Sequence, residues 1–118
     1  MDIFCKIIKG EIPSYTIYED DIIKAFLDIN PTHNGHTLII PKKHYENIYD
    51  IDEQTLNYIM KKAIEIANIL KDGLGCDGLT LCENNEYGQE VKHFHLHLIP
   101  KYKNENKLSI EEVYNKLK

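Results

Sequence analysis

His93-Phe94-His95-Leu96-His97-Leu98-Ile99-Pro100 is the stretch on which the reading of this chain turns. Polar and apolar side chains alternate along it, which is the period of a half-buried strand, and the pattern predicts a strand over residues 93–101. Side chains alternate faces along a strand. His93, His95 and His97 therefore share one face, while Phe94, Leu96 and Leu98 point into a core. Neighbouring imidazoles then stand about 6.5–7 Å apart at Cα, from a rise of roughly 3.3 Å per residue. Two other readings compete with a catalytic one. One is a solvated strand face that happens to carry histidine; the other is a metal site, for which closely spaced imidazoles are suitable ligands.

All six histidines fall in two short windows, His33, His36 and His44, then His93, His95 and His97, and the fold is expected to bring them together. Immediately before the run lies Asn84-Asn85-Glu86-Tyr87-Gly88-Gln89. A glycine-containing turn lets backbone N–H groups converge on an anion, and Asn and Gln amides add neutral donors. The alternative is a plain polar hairpin loop. Further out, residues 3–9 read as a brief helix or turn ending at Gly10, and residues 14–18 and 22–29 as strands around Glu19-Asp20-Asp21. A turn-rich segment, 30–35, leads to a strand over 36–40 that stops at Pro41. Residues 53–72 carry Leu56, Ile59, Met60, Ala63, Ala67 and Leu70 at helical spacing, with Asp50 or Asp52 to start the helix and Gly73 or Gly75 to end it. Residues 79–83 read as a strand, and Ser109 with Glu112 as a capping box opening a C-terminal helix. The prediction is one α+β domain over residues 1–118, an antiparallel sheet of about five strands with one long helix and short terminal helices.

Composition bounds the function. At 118 residues the chain has room for one domain, and its 42% hydrophobic and 28% charged content is that of an ordinary globular protein. The net charge of -5 argues against a nucleic-acid binder. All 14 basic residues are Lys, so a bound phosphate must be held by His, Lys, side-chain amides or backbone N–H groups, without a guanidinium fork. No apolar run approaches the ~20 residues of a membrane span, and Met1-Asp2-Ile3-Phe4-Cys5 does not read as a signal peptide. Cys5, Cys76 and Cys82 are an odd, scattered set, unlike a disulfide framework. The expected location is the cytoplasm.

With these blocks in order, the chain resembles the histidine triad proteins, specifically their small branch of nucleotide hydrolases and phosphoramidases. The His–apolar–His–apolar–His–apolar–apolar run stands at residues 93–99. The likeness continues through Ile3-Phe4-Cys5-Lys6-Ile7-Ile8 and Gly10-Glu11-Ile12-Pro13. It resumes in residues 25–31, in Gly35-His36-Thr37-Leu38-Ile39-Ile40-Pro41-Lys42-Lys43-His44, and in residues 77–85. The resemblance implies a histidine-triad fold and a two-fold homodimer. It implies His95 as nucleophile on the α-phosphorus of a purine nucleotide such as AMP, leaving a nucleotidyl-histidine that water cleaves. It places His36 beside the nucleophile and His97 on the phosphate, with His93 completing the catalytic run. Gln89, Glu90 and Val91 match the phosphate-binding segment, and Asn84 an Asn near the phosphate and leaving group. Asp28 is expected to accept from both ribose hydroxyls, and Phe4, Ile7, Ile12, Phe26 and Ile29 to wall the base. The leaving group is an amine, an acyl group or a second phosphate chain. A nucleotide-binding regulatory module with incidental turnover, and a His-based metal-binding protein, are the alternatives.

The chain departs from the family in places. Many bacterial members open with a Cys-x-x-Cys pair that joins two His residues on structural zinc. Here Asp2 stands at the first position, leaving Cys5, with His44 and His93 matching the other ligands. Three ligands and an Asp on a frayed terminus make a poor closed zinc site, so no cofactor is expected to be required. The loop between Asn85 and Gln89 is short for the family, and Glu90 sits where some members have Ser; both border the position of the leaving group.

Overall fold

Strands at Ile23–Leu27 and Thr37–Pro41 are buried along their whole length and form the middle of the sheet. The computed structural model describes residues 2–118. Its elements run α1 (Ile3–Ile8), β1 (Thr16–Glu19), β2 (Ile23–Leu27), β3 (Thr37–Pro41), α2 (Glu53–Leu74), β4 (Gly78–Cys82), β5 (Leu96–Lys101) and α3 (Ile110–Leu117). The strands lie in the order β1-β2-β3-β5-β4 with every neighbouring pair antiparallel. This is the α+β architecture that the sequence predicts.

The alternation of side chains divides the interior in two. Ile23, Ala25, Ile39, Leu96 and Leu98 face α2, which meets them with Ile59, Ala63, Ile66 and Leu70. Phe26, Leu38 and Ile40 face the other way and are covered by Phe4 and Ile7 of α1. Each fully buried Ile, Leu or Phe stabilises the fold by roughly 1.5–3 kcal/mol, so the first cluster holds the long helix and the second holds α1. The inward face of α2 is rotated from the expected one: Met60 is 43% exposed, and Ile66 packs inward. The helix ends at Gly75, whose left-handed backbone (φ 63°) sends its N–H to the Lys71 carbonyl. The Ser109–Glu112 capping box opens α3 as predicted.

The fifth strand is shorter than the histidine run suggests. It starts at Leu96, because β3 pairs with it only over Thr37–Ile39 and β4 only as far as Cys82 opposite His97. Residues 93–95 precede the ladder, and the Phe94 N–H donates to the Tyr45 carbonyl at 2.7 Å. Alternation survives the change, since Phe94, Leu96 and Leu98 are all in the core.

The turn before β3 is held by tight packing. Gly35 has φ 87°, a left-handed backbone that strains any side chain, and a Cβ there would also meet Leu74 Cδ1 and Pro100 Cγ. Buried Asn34 ties the same loop to the segment before α3. Its Nδ2 donates to the Asn106 carbonyl at 2.7 Å, its Oδ1 accepts from Leu108 N–H at 3.0 Å, and its own N–H donates to Glu105 Oε2 at 2.8 Å. The Tyr102 hydroxyl donates to the Asn34 carbonyl at 2.6 Å. The loop that delivers His36 is thereby clamped. Among the described residues, no helix is long and apolar enough to cross a membrane.

Candidate active site

His95 is buried, and its Nδ1 lies 2.8 Å from the carbonyl oxygen of His93. A carbonyl only accepts, so Nδ1 carries the proton of the neutral ring, whose lone pair is then on Nε2. The neighbouring rings can be assigned by the same logic. The backbone N–H of Thr32 donates to His36 Nδ1 at 3.1 Å, which leaves the proton of a neutral His36 on Nε2. That atom is 2.9 Å from His97 Nδ1 and donates to it, so neutral His97 carries its proton on Nε2. His97 Nε2 is buried with no partner within the protein. A buried donor without a partner costs about 1–3 kcal/mol, so this N–H is held in readiness for an acceptor from outside the chain.

Both rings are kept neutral. Burial pushes His97 down to about 4, reinforced by the neighbouring imidazoles of His95 and His36 and opposed by Asp28. Burial also lowers His36, against the pull of the Asp28 carboxylate, whose Oδ2 is 3.7 Å from His36 Nε2. The tautomer chain from Thr32 to His97 is thus the state of the site at neutral pH.

These side chains line a cavity of ≈ 320 Å³ together with Asp28, Asn84 and Glu90. Asp28 stands at its edge, because it also borders a second, apolar cleft walled by Phe4, Ile7, Ile12, Phe26 and Ile29. A carboxylate between an apolar cleft and an imidazole-lined one can accept from a sugar whose base enters the first and whose phosphate enters the second. Its Oδ1 is already engaged with the Asn30 N–H at 2.9 Å. Phe4 stands edge-on to the His95 ring at 5.0 Å between centroids, so one side chain of α1 touches both the apolar cleft and the centre of the histidine cluster.

Several expected residues sit elsewhere. Gln89 is buried, but its amide is fully used within the protein: Nε2 donates to the Glu46 and Val91 carbonyls, and Oε1 accepts from Glu86 N–H and Asn47 Nδ2. With two donors and two acceptor sites spent, it anchors the loop and offers a phosphate nothing. The Val91 side chain packs beside the α1 cluster, while the backbone that the resemblance matches to the phosphate-binding segment follows Glu90 of the cavity wall. The His93 ring turns away towards Cys5 and His44, so its backbone carbonyl is what it brings to His95. His33 leaves the histidine group altogether, its Nδ1 lying 2.7 Å from Glu105 Oε1. Thr32 and Asn34 are the positioning residues that the sequence reading missed. Thr32 acts through its backbone, and Asn34 through partners more than 70 positions away.

The three histidines of the run do not converge on one point; His93 converges instead with Asp2, Cys5 and His44. Asp2 Oδ2 is 3.5 Å from Cys5 Sγ, 3.2 Å from His44 Nδ1 and 3.4 Å from His93 Nδ1. Cys5 Sγ is 3.7 Å from each imidazole, and the two Nδ1 atoms are 3.2 Å apart. An oxygen, a sulfur and two nitrogens around one point fit the donor chemistry of zinc. Asp2 is not frayed; it caps α1, accepting from Cys5 N–H through Oδ1 at 2.7 Å.

Comparison with known proteins agrees with this anatomy. Residues 9–104 match the family model of the HIT domain. An uncharacterized HIT-like protein of Methanocaldococcus jannaschii is 49% identical over 113 residues, 92% of this chain and 84% of the relative. The adenosine 5'-monophosphoramidase of Saccharomyces cerevisiae is 46% identical over 101 residues, 84% of this chain and 61% of the relative. A zinc-bound histidine triad family protein from Mycobacterium smegmatis superposes with a TM-score of 0.89 at 32% identity, covering 98% of this chain and 88% of that one. With its three imidazoles in place and its sheet in the same form, the chain belongs to the HIT domain family.

Proposed function

We propose that this protein hydrolyses nucleotides at the α-phosphorus, releasing a nucleoside monophosphate such as AMP, with His95 as covalent nucleophile. The observation that carries the reading is the bond from His95 Nδ1–H to the His93 carbonyl, which puts the lone pair of the neutral ring on Nε2 beside the cavity. In the first step a bond forms between Nε2 and phosphorus, and the bond to the leaving group breaks. The electron pair departs on the leaving group, which takes a proton from water. The His97 Nε2–H donates to a phosphoryl oxygen, where charge builds in the transition state. In the second step a water oxygen bonds to phosphorus and gives up a proton to solvent, replacing the one taken in the first step, while the N–P bond breaks and its electron pair returns to Nε2. Asp28 holds the ribose and the apolar cleft holds the base.

The lining of the cavity contains two carboxylates, Asp28 and Glu90, and no lysine. That charge supports an amine leaving group over a second polyphosphate chain, whose extra negative charges would find no cation. The phosphoramidase activity of the yeast relative points the same way. A zinc ion of the kind the Mycobacterium relative binds would be held by Asp2, Cys5, His44 and His93. It would cross-link α1 to the segments that follow β3 and precede β5, without touching the phosphate. Pairing of two copies through the edge strand β4 is part of the same reading: Leu81 is exposed there, and Met60 and Ile64 are exposed on α2. A single monomeric species in sedimentation at micromolar concentration would refute the pairing.

Stereochemistry tests the mechanism. Two in-line displacements retain configuration at a chiral phosphorus, and a single attack by water inverts it. Retention is expected, together with a nucleotidyl-protein adduct trapped by acid-free quenching and absent in His95→Ala. That variant should lose turnover while binding AMP within about tenfold of the parent, because one ground-state contact is worth about 1 kcal/mol. Inversion without an adduct would sink the covalent route.

A further inference from the structure

Given the His95 nucleophile proposed above, on which this role rests, we infer that Phe4 is a positioning residue that carries the occupancy of the base cleft to the His95 ring. The base then sets the rate of attack and not only the affinity. One hydrogen bond, from Nδ1–H to the His93 carbonyl at 2.8 Å, fixes a single atom of the imidazole. The ring can still swing about that atom, because the torsion beyond Cβ is broad and soft. Packing against the ring has to supply the rest. His97 stands on one side, its ring 4.8 Å away between centroids at 62°, and it is tied in turn to His36 at 2.9 Å. Phe4 stands towards the His93 side, 5.0 Å from the His95 ring at 72° and 5.9 Å from the His93 ring at 85°.

The two braces differ in what holds them. His97 sits in the sheet ladder, paired with Leu38 of β3 and Cys82 of β4. Phe4 belongs to a helix of six residues, too short to be stable alone, so its place is set by side-chain packing. Its ring leans on Phe26 at 5.8 Å, and it walls the apolar cleft with Phe26, Ile7, Ile12 and Ile29. Among the described residues, Phe4 is the aromatic of that wall whose ring also meets His95. A purine lodged in the cleft presses on the same side chain that braces the nucleophile. Contact energy falls steeply over a gap of about 0.5–1 Å, so a filled cleft holds Phe4 against His95 more firmly. A misplacement of about 1 Å at the reacting atoms is enough to slow attack by about 10²-fold, so a small swing of the imidazole matters. By this route, binding energy remote from the phosphorus enters the rate.

The test crosses a change in the substrate with a change in the side chain, on the full-length protein. Adenosine 5'-phosphoramidate is compared with ribose 5-phosphoramidate, which carries the same reacting group and no base, in single turnover at saturating concentration. In the parent the base should raise the saturated rate by about tenfold or more, beyond its effect on KM. Phe4→Leu keeps an apolar side chain on α1 but loses the ring that meets His95, and the base's effect on the rate should shrink to about threefold or less. Ile12→Ala trims the same cleft and should raise KM while the base's effect on the rate persists. A second readout needs neither turnover nor a variant: the ¹⁵N signals of the His95 ring with adenosine added to saturation. Adenosine has no phosphate to meet the imidazole, yet it should shift and narrow those signals in the parent and leave them unmoved in Phe4→Leu. A base that changes only KM, a Phe4→Leu variant that slows both substrates equally, or parent signals that ignore adenosine would overturn the role of Phe4. If the parent turns over neither substrate while its signals respond to adenosine, the coupling of cleft to imidazole stands and the proposed reaction falls.

Discussion

Replacing Asn34 with alanine tests whether the loop carrying His36 is held from a distance. The substitution removes two side-chain hydrogen bonds, to the Asn106 carbonyl at 2.7 Å and from Leu108 N–H at 3.0 Å. Each is worth about 1 kcal/mol net, and leaving two half-buried backbone groups short of a partner adds about 1 kcal/mol more. The expected loss is about 2–3 kcal/mol, which a urea slope of roughly 1–3 kcal/mol per molar converts to a midpoint lowered by about 1–2 M. Binding of AMP should change little, since the apolar cleft is built from α1 and β2. Single-turnover rate should fall more than stability alone explains at low denaturant, because Thr32 no longer holds its N–H against His36 Nδ1. A variant with the parent's urea midpoint would refute the clamp. A destabilised variant with the parent's single-turnover rate would refute its connection to the site.

Asp28→Asn should weaken ribonucleotide substrates far more than the matching 2'-deoxynucleotides, because charge-assisted bonds to the hydroxyls are lost only in the first case; equal losses would make Asp28 a turn residue alone. Stability should depend on pH through the buried imidazoles. His97 is lowered to about 4 and His36 is lowered as well, so between about 6.5 and 4 the unfolded chain binds protons that the folded chain refuses. Their contribution is therefore complete above about pH 6.5 and is lost as the pH falls. Glu83, raised by burial, acts in the opposite sense just above its ordinary range. Urea midpoints compared at pH 7.5 and 5.5 should show the decline, and a flat or rising midpoint would contradict the neutral Thr32–His36–His97 chain.

Particular residues show what the sequence could and could not carry. The alternation from His93 to Leu98 placed His95 and His97 beside one cavity, because side-chain period is a local property of extended backbone. It could not place the His93 ring, whose partners Cys5 and His44 lie 88 and 49 positions away. Gln89 looked like a phosphate donor because an amide in a glycine-containing loop usually has free valences. Its four bonds, among them one to Glu46 at the far side of the loop, are a tertiary fact. Thr32 was unreadable for another reason: a backbone N–H leaves no mark on residue identity. Asp2 was readable and misjudged, since an Asp three positions before a helical N–H is the ordinary sign of an N-cap. The strand over 93–101 was too long because the pattern records burial, which outlasts the ladder, and not pairing.

The grip of residues 102–108 on Asn34 also puts a timing on the molecule. The bonded positions are separated by 71 to 74 residues. At a synthesis rate of about 5–20 residues per second, the loop bearing His36 leaves the ribosome about 4–14 seconds before its clamp has been made. Throughout that interval the growing polypeptide owns His36 but has nothing to hold it in place, and the histidine run itself arrives only just ahead of the clamp. A stalled chain released before residue 102 should accordingly hydrolyse nothing, and one that turned over substrate would show that the clamp is dispensable. By this geometry the site stays unassembled until residues 102–108 have been made.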